Sequence, residues 1–134
     1  MKKLLYVYLP VLLVLMLALA ACGSPQADVV VDESQNNGAV SLKAGQILEV
    51  RLSSDPETGK RWEIAAVDAA VLEQSGEARF QEADDQNPAP AGMKGWGVFQ
   101  FKAVAPGQTI LQMVYQVPGS GAPERTFSLQ VTVE

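Results

Sequence analysis

Hydrophobic and polar side chains alternate along several short segments of the chain. In residues 46–54, Leu48, Val50 and Leu52 share one face, while Glu49 and Arg51 share the other. A period of two residues is typical of a β-strand with one buried face. The same alternation predicts four further strands, in residues 61–67, 96–104, 109–117 and 125–133.

The inward faces of these four further strands supply the rest of the predicted core. Their members are Trp62, Ile64 and Ala66; Phe99, Phe101 and Ala103; Leu111, Met113 and Tyr115; and Phe127, Leu129, Val131 and Val133. Segments rich in Pro and Gly separate the strands, and no sustained helical period competes with them. We therefore predict an all-β protein, an antiparallel β-sandwich in which two sheets bury one face each.

Three stretches are less regular. Residues 28–33 are compatible with a first edge strand. Residues 71–80 fit one strand, two strands, or a helical turn followed by a strand. Residues 81–95 contain Pro and Gly without alternation, which predicts a long loop.

The first residues have the composition of an export signal. A basic start at Lys2 and Lys3 precedes residues 4–21, which carry no charge. The following "LAAC", ending at Cys22, resembles the lipobox of bacterial lipoproteins. That resemblance implies cleavage before Cys22 and lipidation of its thiol. A plain transmembrane anchor is the alternative, because an apolar run of this length is near the minimum that spans a bilayer.

These features divide the chain into three parts. We expect a signal peptide in residues 1–21, a lipidated N-terminus and tether in residues 22–38, and one folded domain in residues 39–134. The protein would then be exported and held by lipid on the extracytoplasmic face of a bacterial cell membrane. We expect the domain to be a monomer.

Charge and composition exclude several classes of function. Residues 22–134 keep eight Lys and Arg against 15 Asp and Glu, a net side-chain charge of −7, so no basic patch is left for nucleic acid. The chain has no His and one Cys, which excludes His-dependent nucleophilic catalysis and His-ligated zinc. No disulfide is possible within the chain.

Carboxylates are the remaining candidates for chemistry. Glu82, Asp84 and Asp85 could hold a hard cation loosely, but their spacing lacks an EF-hand pattern, and a solvated acidic loop explains them more simply. A carboxylate-only enzyme is formally open, although a small sandwich without a cleft is a poor host for one. We predict that the protein is not an enzyme and has neither cofactor nor metal.

Three loop segments follow one another in a recognisable order. Residues 55–59 read "DPETG" and lead into Trp62, residues 92–95 read "GMKG" and precede "FQFKA", and residues 117–119 read "VPG" and follow "APGQTILQMVY". In this order the segments resemble the chagasin-like inhibitors of papain-type cysteine peptidases, over residues 39–133. The family's loops read Asn-Pro-Thr-Thr-Gly, Gly-x-Gly-Gly and Arg-Pro-Trp.

The resemblance implies a fold, a function and a site. The fold is an Ig-like antiparallel β-sandwich of about seven to eight strands. The function is reversible inhibition of a papain-family cysteine peptidase, whose active-site cleft is blocked by three loops. Their residues are, in loop 1, Asp55, Pro56, Glu57, Thr58 and Gly59; in loop 2, Gly92, Met93, Lys94 and Gly95; and in loop 3, Val117, Pro118 and Gly119.

Each loop departs from the family pattern. Loop 1 has Glu57 in place of a Thr, which adds a charge. Loop 2 has Lys94 in place of a Gly, which predicts strain of ~1 kcal/mol if its φ is positive. Loop 3 has Val117 and Gly119 in place of Arg and Trp, and losing a central aromatic would weaken inhibition by a factor of roughly 30.

Other interpretations of the same residues stay open. Trp62 is expected in the core, whereas Met93 and Trp96 fit either an exposed contact or a fold back onto the sheet. A non-enzymatic envelope lipoprotein that uses an Ig-like domain for adhesion, scaffolding or assembly is the main alternative function. A lipoprotein that binds a small ligand or a metal is a second, without a convergent polar cluster to support it.

Overall fold

A computed structural model describes residues 26–134 of the chain. The expected signal peptide, residues 1–21, and the expected lipidation site Cys22 lie outside these residues. Nine strands form within the described part, namely β1 (Val29–Asp32), β2 (Gly38–Leu42), β3 (Ile47–Ser54), β4 (Arg61–Ala66), β5 (Leu72–Gln74), β6 (Arg79–Glu82), β7 (Gly95–Ala103), β8 (Gly107–Gln116) and β9 (Arg125–Val133). Two 3-10 turns, Glu33–Gln35 and Pro56–Thr58, complete the regular structure.

The strands form two sheets. In the first sheet the order is β1, β3, β7, and both β5 and β6 pair with the far edge of β7. In the second sheet the order is β2, β9, β8, β4. The prediction of an all-β Ig-like sandwich is confirmed, with nine strands in the described residues rather than the expected seven to eight.

Two of the pairings are parallel, contrary to a purely antiparallel sandwich. β1 runs parallel to β3, and β2 runs parallel to β9. β1 and β2 both lie in the first part of the domain. Each forms the edge of its sheet and pairs with a strand that does not follow it directly in the chain. Alternation within a strand predicts its buried face but carries no information on the direction of its neighbour.

The core lies between the sheets and matches the predicted inward faces closely. Completely buried side chains include Leu48, Val50, Leu52, Phe101, Ala103, Leu111, Met113, Leu129 and Val131. Ala66 is an exception, because it is exposed. The register of β4 against β8 shifts between Ile64 and Ala66, and such an irregularity turns the end of the strand away from the core.

The folded part begins earlier than the expected boundary at residue 39. β1 lies within the segment assigned to a tether, and its Val31 is only 4% exposed. Asp28 also accepts a hydrogen bond from the Ile47 amide, Oδ2 to N 2.8 Å. β1 lies within residues 28–33, the stretch that the sequence left compatible with an edge strand. The polar composition of residues 23–38 does not prevent this strand, because an edge strand needs few buried side chains.

Residues 71–80 resolve into the two-strand alternative. β5 and β6 are separated by a bend, and each pairs with a different part of β7. The loop that follows spans residues 83–94, slightly shorter than predicted. Within it the Asp84 carboxylate accepts hydrogen bonds from the amides of Gln86 and Asn87, at 3.0 and 2.7 Å, so it closes a turn.

Candidate functional site

The strand register brings the three predicted loops to one end of the sandwich. Ser54, just before loop 1, pairs with Gly95 at the end of loop 2. Arg61, just after loop 1, pairs with Gln116 just before loop 3. Loop 1 therefore crosses from one sheet to the other and has a neighbouring loop on each side.

Loop 1 is a closed turn built from its own polar groups. The Asp55 carboxylate caps the 3-10 turn by accepting a hydrogen bond from the Glu57 amide, Oδ1 to N 3.0 Å. The Thr58 hydroxyl donates to the Asp55 carbonyl at 2.7 Å. Gly59 ends the turn at φ 74°, a conformation that a residue with a Cβ adopts at a cost. Pro56 to Gly59 are exposed, and their backbone is held in one shape.

Tyr115 fastens loop 1 to the core. Its ring is 1% exposed and packs against Trp62, with ring centroids 5.3 Å apart. Its hydroxyl accepts a hydrogen bond from the Asp55 amide at 3.0 Å and donates to the Asp55 carbonyl at 3.2 Å. The alternating pattern identified Tyr115 as a core residue only. A buried tyrosine usually needs a hydrogen-bond partner for its hydroxyl, and this requirement was the signal in the sequence that Tyr115 could also hold a loop.

Arg125 connects the bases of the loops, and sequence reasoning missed it. Its Nη2 donates to the Ser53 carbonyl at 2.6 Å, and its Nη1 donates to the Ser53 hydroxyl at 2.9 Å and to the Glu33 carboxylate at 2.7 Å. The guanidinium also stacks on Tyr115, 4.4 Å from the ring centroid, and lies 5.1 Å from that of Trp62. Charge-assisted hydrogen bonds and a planar stack of this kind are specific to arginine.

Loop 2 is tied to loop 1 through its backbone. The Lys94 amide donates to the Ser54 carbonyl at 3.1 Å, and the Lys94 carbonyl accepts from the Ala83 amide at 3.0 Å. Lys94 also approaches Glu57 of loop 1, Nζ to Oε2 3.9 Å. Both side chains are more than half exposed, so this ion pair contributes little to stability.

The predicted strain at Lys94 is absent. Among the described residues Asn37 is the one non-glycine residue with a positive φ. Two other positions in loop 2 require glycine. Gly92 has φ 84°, and a Cβ on Gly95 would lie 2.1 Å from the Gln81 carbonyl oxygen.

Loop 3 is more open than the other two. Val117 is 46% exposed, and its carbonyl accepts a hydrogen bond from the Ser120 amide at 3.0 Å. Gly119 has φ 77° and no atom near the position of a Cβ. Beyond the loop, Glu124 forms an ion pair with Lys60, next to loop 1. The Lys60 ammonium, by hydrogen bond and by charge, holds the pKa of Glu124 below its usual value.

The large side chains near the loops fold back onto the domain. Trp62 is 6% exposed, as predicted for a core residue, and its indole N–H donates to the Ser53 carbonyl at 3.0 Å. Met93 is half-buried, with its sulfur 3.7 Å from Arg125 Nη2. Trp96 is also half-buried, and the Arg51 guanidinium lies 5.8 Å from its ring centroid.

The described residues contain no group of three or more Cys, Asp or Glu side chains placed to hold a metal ion. No helix among them is long and apolar enough to cross a membrane. Loops 1 and 2 have exposed tips on bases that are bonded to each other, and loop 1 is also bonded to the core. Loop 3 is joined to this end through its flanking residues, by the pairing of Gln116 with Arg61 and the ion pair of Glu124 with Lys60.

Solved structures resemble this sandwich over most of its length. The cysteine protease inhibitor EhICP2 from Entamoeba histolytica is 17% identical, with a TM-score of 0.66 over 83% of this chain and 100% of its own. Amebosin is 24% identical, with a TM-score of 0.62 over 83% of this chain and 100% of its own. At these identities the likeness shows the fold. No curated protein matches the chain in sequence.

A family model tests the relationship directly. The model of the chagasin family of peptidase inhibitors matches residues 41–131, a range that begins in β2 and ends in β9. It therefore includes all three loops and more than half of the chain. The protein belongs to the chagasin family of peptidase inhibitors.

Proposed function

We propose that the protein is a reversible inhibitor of papain-like cysteine peptidases and that its three loops together enter the active-site cleft. The observation that carries the proposal is the convergence of the loops at one end of the sandwich on bases joined by Tyr115 and Arg125. EhICP2, which shares the fold, is described as a cysteine protease inhibitor. Inhibition needs no catalytic group, in agreement with a chain that has no His.

Loop 1 would occupy the centre of the cleft. Thr58 and its neighbours would lie across the catalytic Cys of the peptidase. Hydrolysis requires the scissile carbonyl to be held close to the thiolate in an aligned geometry. The 3-10 turn and the hydrogen bond from Thr58 to the Asp55 carbonyl keep this backbone folded on itself. The loop can therefore fill the site without presenting a bond in that geometry.

A fixed loop shape lowers the entropy lost on binding. Each rotamer-rich side chain immobilised at an interface costs about 0.5–1.5 kcal/mol, and ordering a mobile loop costs more. Here Pro56 and Pro118 restrict the backbone, and hydrogen bonds close loop 1 before any partner is present. Affinity would come from this preorganisation more than from contact area.

Loop 3 would contribute less than loops 1 and 2. The family motif has a Trp where this chain has Gly119, and a central aromatic is a typical source of binding energy. The φ of 77° at Gly119 also means that a Trp could not be introduced there without strain of roughly 1 kcal/mol. We expect inhibition that depends mainly on loop 1.

The direct test is titration of papain, or of a cathepsin-L-like enzyme, with the soluble chain 23–134. We expect tight, reversible inhibition that is lost in Thr58→Arg, because the larger charged side chain cannot enter a cleft shaped for a turn. Gln108→Arg is the matched control, because Gln108 is exposed near the opposite end of the sandwich. Absence of inhibition at tens of micromolar would overturn the proposal for this class of enzyme.

A second candidate function is adhesion, scaffolding or assembly in the cell envelope. The observation in its favour is loop 3, where neither the Arg nor the Trp of the family motif is present. In that case the fold would be retained while the loops had lost inhibitory use. The titration above separates the two, since an envelope module of this kind would leave the peptidase active.

We also propose that lipid on Cys22 anchors the protein to a bacterial membrane. β1 runs parallel to β3, so its first residue lies at the end of the sandwich away from the loops. Residues 22–28 can extend at most about 22 Å, and β3 adds about 26 Å in the same direction. An anchor at Cys22 would thus leave the loops facing away from the membrane, where a peptidase can approach them.

Metabolic labelling tests the anchor. Cells that express the full chain with radiolabelled palmitate should yield a labelled, membrane-bound protein. Cys22→Ser should abolish both the label and the membrane association, whereas Ser24→Ala, close by in the chain, should change neither. A membrane-bound but unlabelled protein would favour the transmembrane anchor instead.

A further inference from the structure

One side of the sandwich is open next to loop 1. β4 and β6 are edge strands of opposite sheets, and no hydrogen-bonded ladder joins them. Between them lies a groove with a volume of about 200 Å³. We call it the edge groove; the residues used below are Pro56, Lys60, Arg61, Trp62, Arg79 and Phe80.

The interior of the edge groove is apolar and large enough for one side chain. Trp62 and Phe99 form its buried surface, and Phe80 stands beside it with 41% of its surface exposed. An apolar cavity of about 150 Å³ is enough to hold benzene. The edge groove therefore suits one aromatic or branched aliphatic side chain from outside the domain.

The mouth of the groove is basic, although the protein is acidic. Lys60, Arg61 and Arg79 line it, and none of the lining residues has a carboxylate. These are three of the eight basic side chains in residues 22–134, which carry a net side-chain charge of −7. The groove lining thus carries three cations on a surface whose average charge is negative, and the carboxylates that pair with them, Glu124, Glu63 and Glu49, lie outside the lining.

Two of these cations are available to a partner. The side chain of Arg61 is 67% exposed and lies 3.9 Å from Glu63, and that of Arg79 is 55% exposed and lies 3.7 Å from Glu49. The side chain of Glu63 is 32% exposed and that of Glu49 13%, and Glu49 also has Arg51 and Gln100 as partners. Loose ion pairs that reach solvent contribute between nothing and about 1 kcal/mol. An incoming carboxylate can therefore replace the internal partner at little cost.

We propose that the edge groove is a second contact surface for the peptidase, which binds an acidic segment with one apolar side chain from the rim of the peptidase cleft. The inference rests on the proposed inhibitory function. The groove shares Pro56 and Lys60 with loop 1 and the residue that follows it, so a partner seated on loop 1 also covers the groove mouth. The apolar interior of the groove would hold the apolar side chain of the segment, and the basic mouth would face its acidic groups.

The groove would set selectivity among peptidases. Complementary charge raises the association rate by 10-fold or more and makes it depend on salt. Peptidases with an acidic rim should therefore be captured faster than peptidases with a basic rim. The loops would block any cleft of the right shape, and the groove would discriminate among the peptidases that have such a cleft.

The test compares two double variants of the soluble chain 23–134 against papain and a cathepsin-L-like enzyme. Arg61→Glu with Arg79→Glu reverses the groove charge. Lys43→Glu with Lys102→Glu makes the same change in net charge at exposed positions near the opposite end. For the enzyme with the more acidic rim, we expect the groove variant to slow association about 10-fold or more at low salt and to flatten the salt dependence. The control should stay within about 2-fold of wild type.

Phe80→Ser tests the apolar part separately, and it should increase the dissociation rate while the association rate stays unchanged. If wild type inhibits both enzymes and the groove variants behave like the control, the groove inference is overturned while the proposed function stands. If wild type inhibits neither enzyme, both are overturned. If wild type dimerises in sedimentation experiments and Phe80→Ser abolishes the dimer, the edge groove is instead a self-association surface.

Discussion

At the scale of single residues, Tyr115 and Arg125 show how core and site are joined. Tyr115 buries its ring and places its hydroxyl on both backbone groups of Asp55. Arg125 stacks on that ring and bonds to Ser53, two residues before Asp55. Loss of a hydrogen bond to a charged group costs about 1.5–3 kcal/mol, more than most surface contacts contribute. The shape of loop 1 thus depends on two side chains that need not touch a partner.

Tyr115→Phe should loosen loop 1 without disturbing the core. The ring remains, and the two hydrogen bonds to Asp55 are lost, so we expect the free energy of unfolding to fall by about 1 kcal/mol. Leu111 is completely buried in β8, so its amide exchanges through global unfolding and should accelerate only by the roughly 5-fold that 1 kcal/mol implies. Amide exchange measured by NMR should accelerate more than this at Asp55. Unchanged exchange at Asp55 would show that the hydroxyl does not hold the loop.

Arg125→Lys should destabilise the protein although the charge is kept. A lysine cannot bond to Ser53 and Glu33 at once while stacking on an aromatic ring, so we expect a loss of about 1–3 kcal/mol in urea unfolding. Lys102→Arg serves as the control, because it exchanges the same two residue types at an exposed position. Equal stabilities of the two variants would contradict the role assigned to the guanidinium.

At the scale of elements, the first strand and the turn after it belong to the site. Asp32 ends β1 and caps the 3-10 turn Glu33–Gln35, with its carboxylate accepting from the Ser34 amide at 2.8 Å. This turn directs Glu33 towards Ser53, whose hydroxyl donates to the carboxylate at 2.7 Å. The N-terminal segment thus reaches the base of loop 1 from the first sheet.

Asp32 should make stability depend on pH. Hydrogen bonds from Ser34, and the charge of Arg51, lower the pKa of Asp32 from its ordinary value of 3.8. A lowered carboxyl pKa stabilises the fold above the unfolded pKa, and this contribution disappears as the pH falls through the folded pKa. Asp32→Asn, which retains a capping oxygen, should be less stable than wild type at pH 6, and the difference should shrink as the pH falls below 3.8. A difference that stays constant as the pH is lowered would contradict this account.

Gly95 is the first residue of β7, the strand that follows loop 2, and it should not tolerate a side chain. A Cβ there would lie 2.1 Å from the Gln81 carbonyl oxygen and 2.9 Å from Glu82 Cα, both backbone atoms of β6. Gly95→Ala should therefore separate β6 from β7 and destabilise the protein by at least about 2 kcal/mol. Gly97→Ala, with nothing closer than 3.5 Å, should change the melting temperature little. Similar melting temperatures for both variants would refute the steric argument.

At the scale of the whole molecule, the placement of the three loops depends on how the two sheets are assembled. Membership of the chagasin family confirms the prediction of a peptidase inhibitor that is not an enzyme. The three loops belong to different connections of the chain, and antiparallel pairing brings them together at one end. The individual loop residues, the lipid anchor and the monomeric state stay predictions.

Truncation tests where the folded unit begins. Residues 39–134 match the boundary expected from sequence, but they lack β1, the buried Val31 and the carboxylate of Glu33. We expect this fragment to be roughly 3 kcal/mol or more less stable than residues 26–134, because one apolar side chain returns to water and Arg125 loses its charged partner. Matching urea midpoints for the two fragments would show that β1 is dispensable.

The sequence by itself determined which residues face the core. In β8 and β9 a period of two identified the buried side chains, because a half-buried strand must separate apolar from polar positions. In β3 and β7 the same period identified the side chains between the sheets, although Ser53, Ser54 and Val98 are buried as well. Loop 1 was also recognisable, since Asp, Pro and Gly each have a local reason to occupy a turn. These features are local, and a sequence displays local constraints directly.

Only the tertiary structure decided which distant groups meet. Arg125 reaches Ser53 across 72 positions and Glu33 across 92, and no periodicity encodes such pairs. The parallel pairing of β1 with β3 was hidden for the same reason, since alternation does not specify a neighbour. β4 and β6 are edge strands of the two sheets and do not pair with each other, which leaves the edge groove between them. Contacts of this kind arise from packing, which is decided by the whole chain at once rather than by any segment of it.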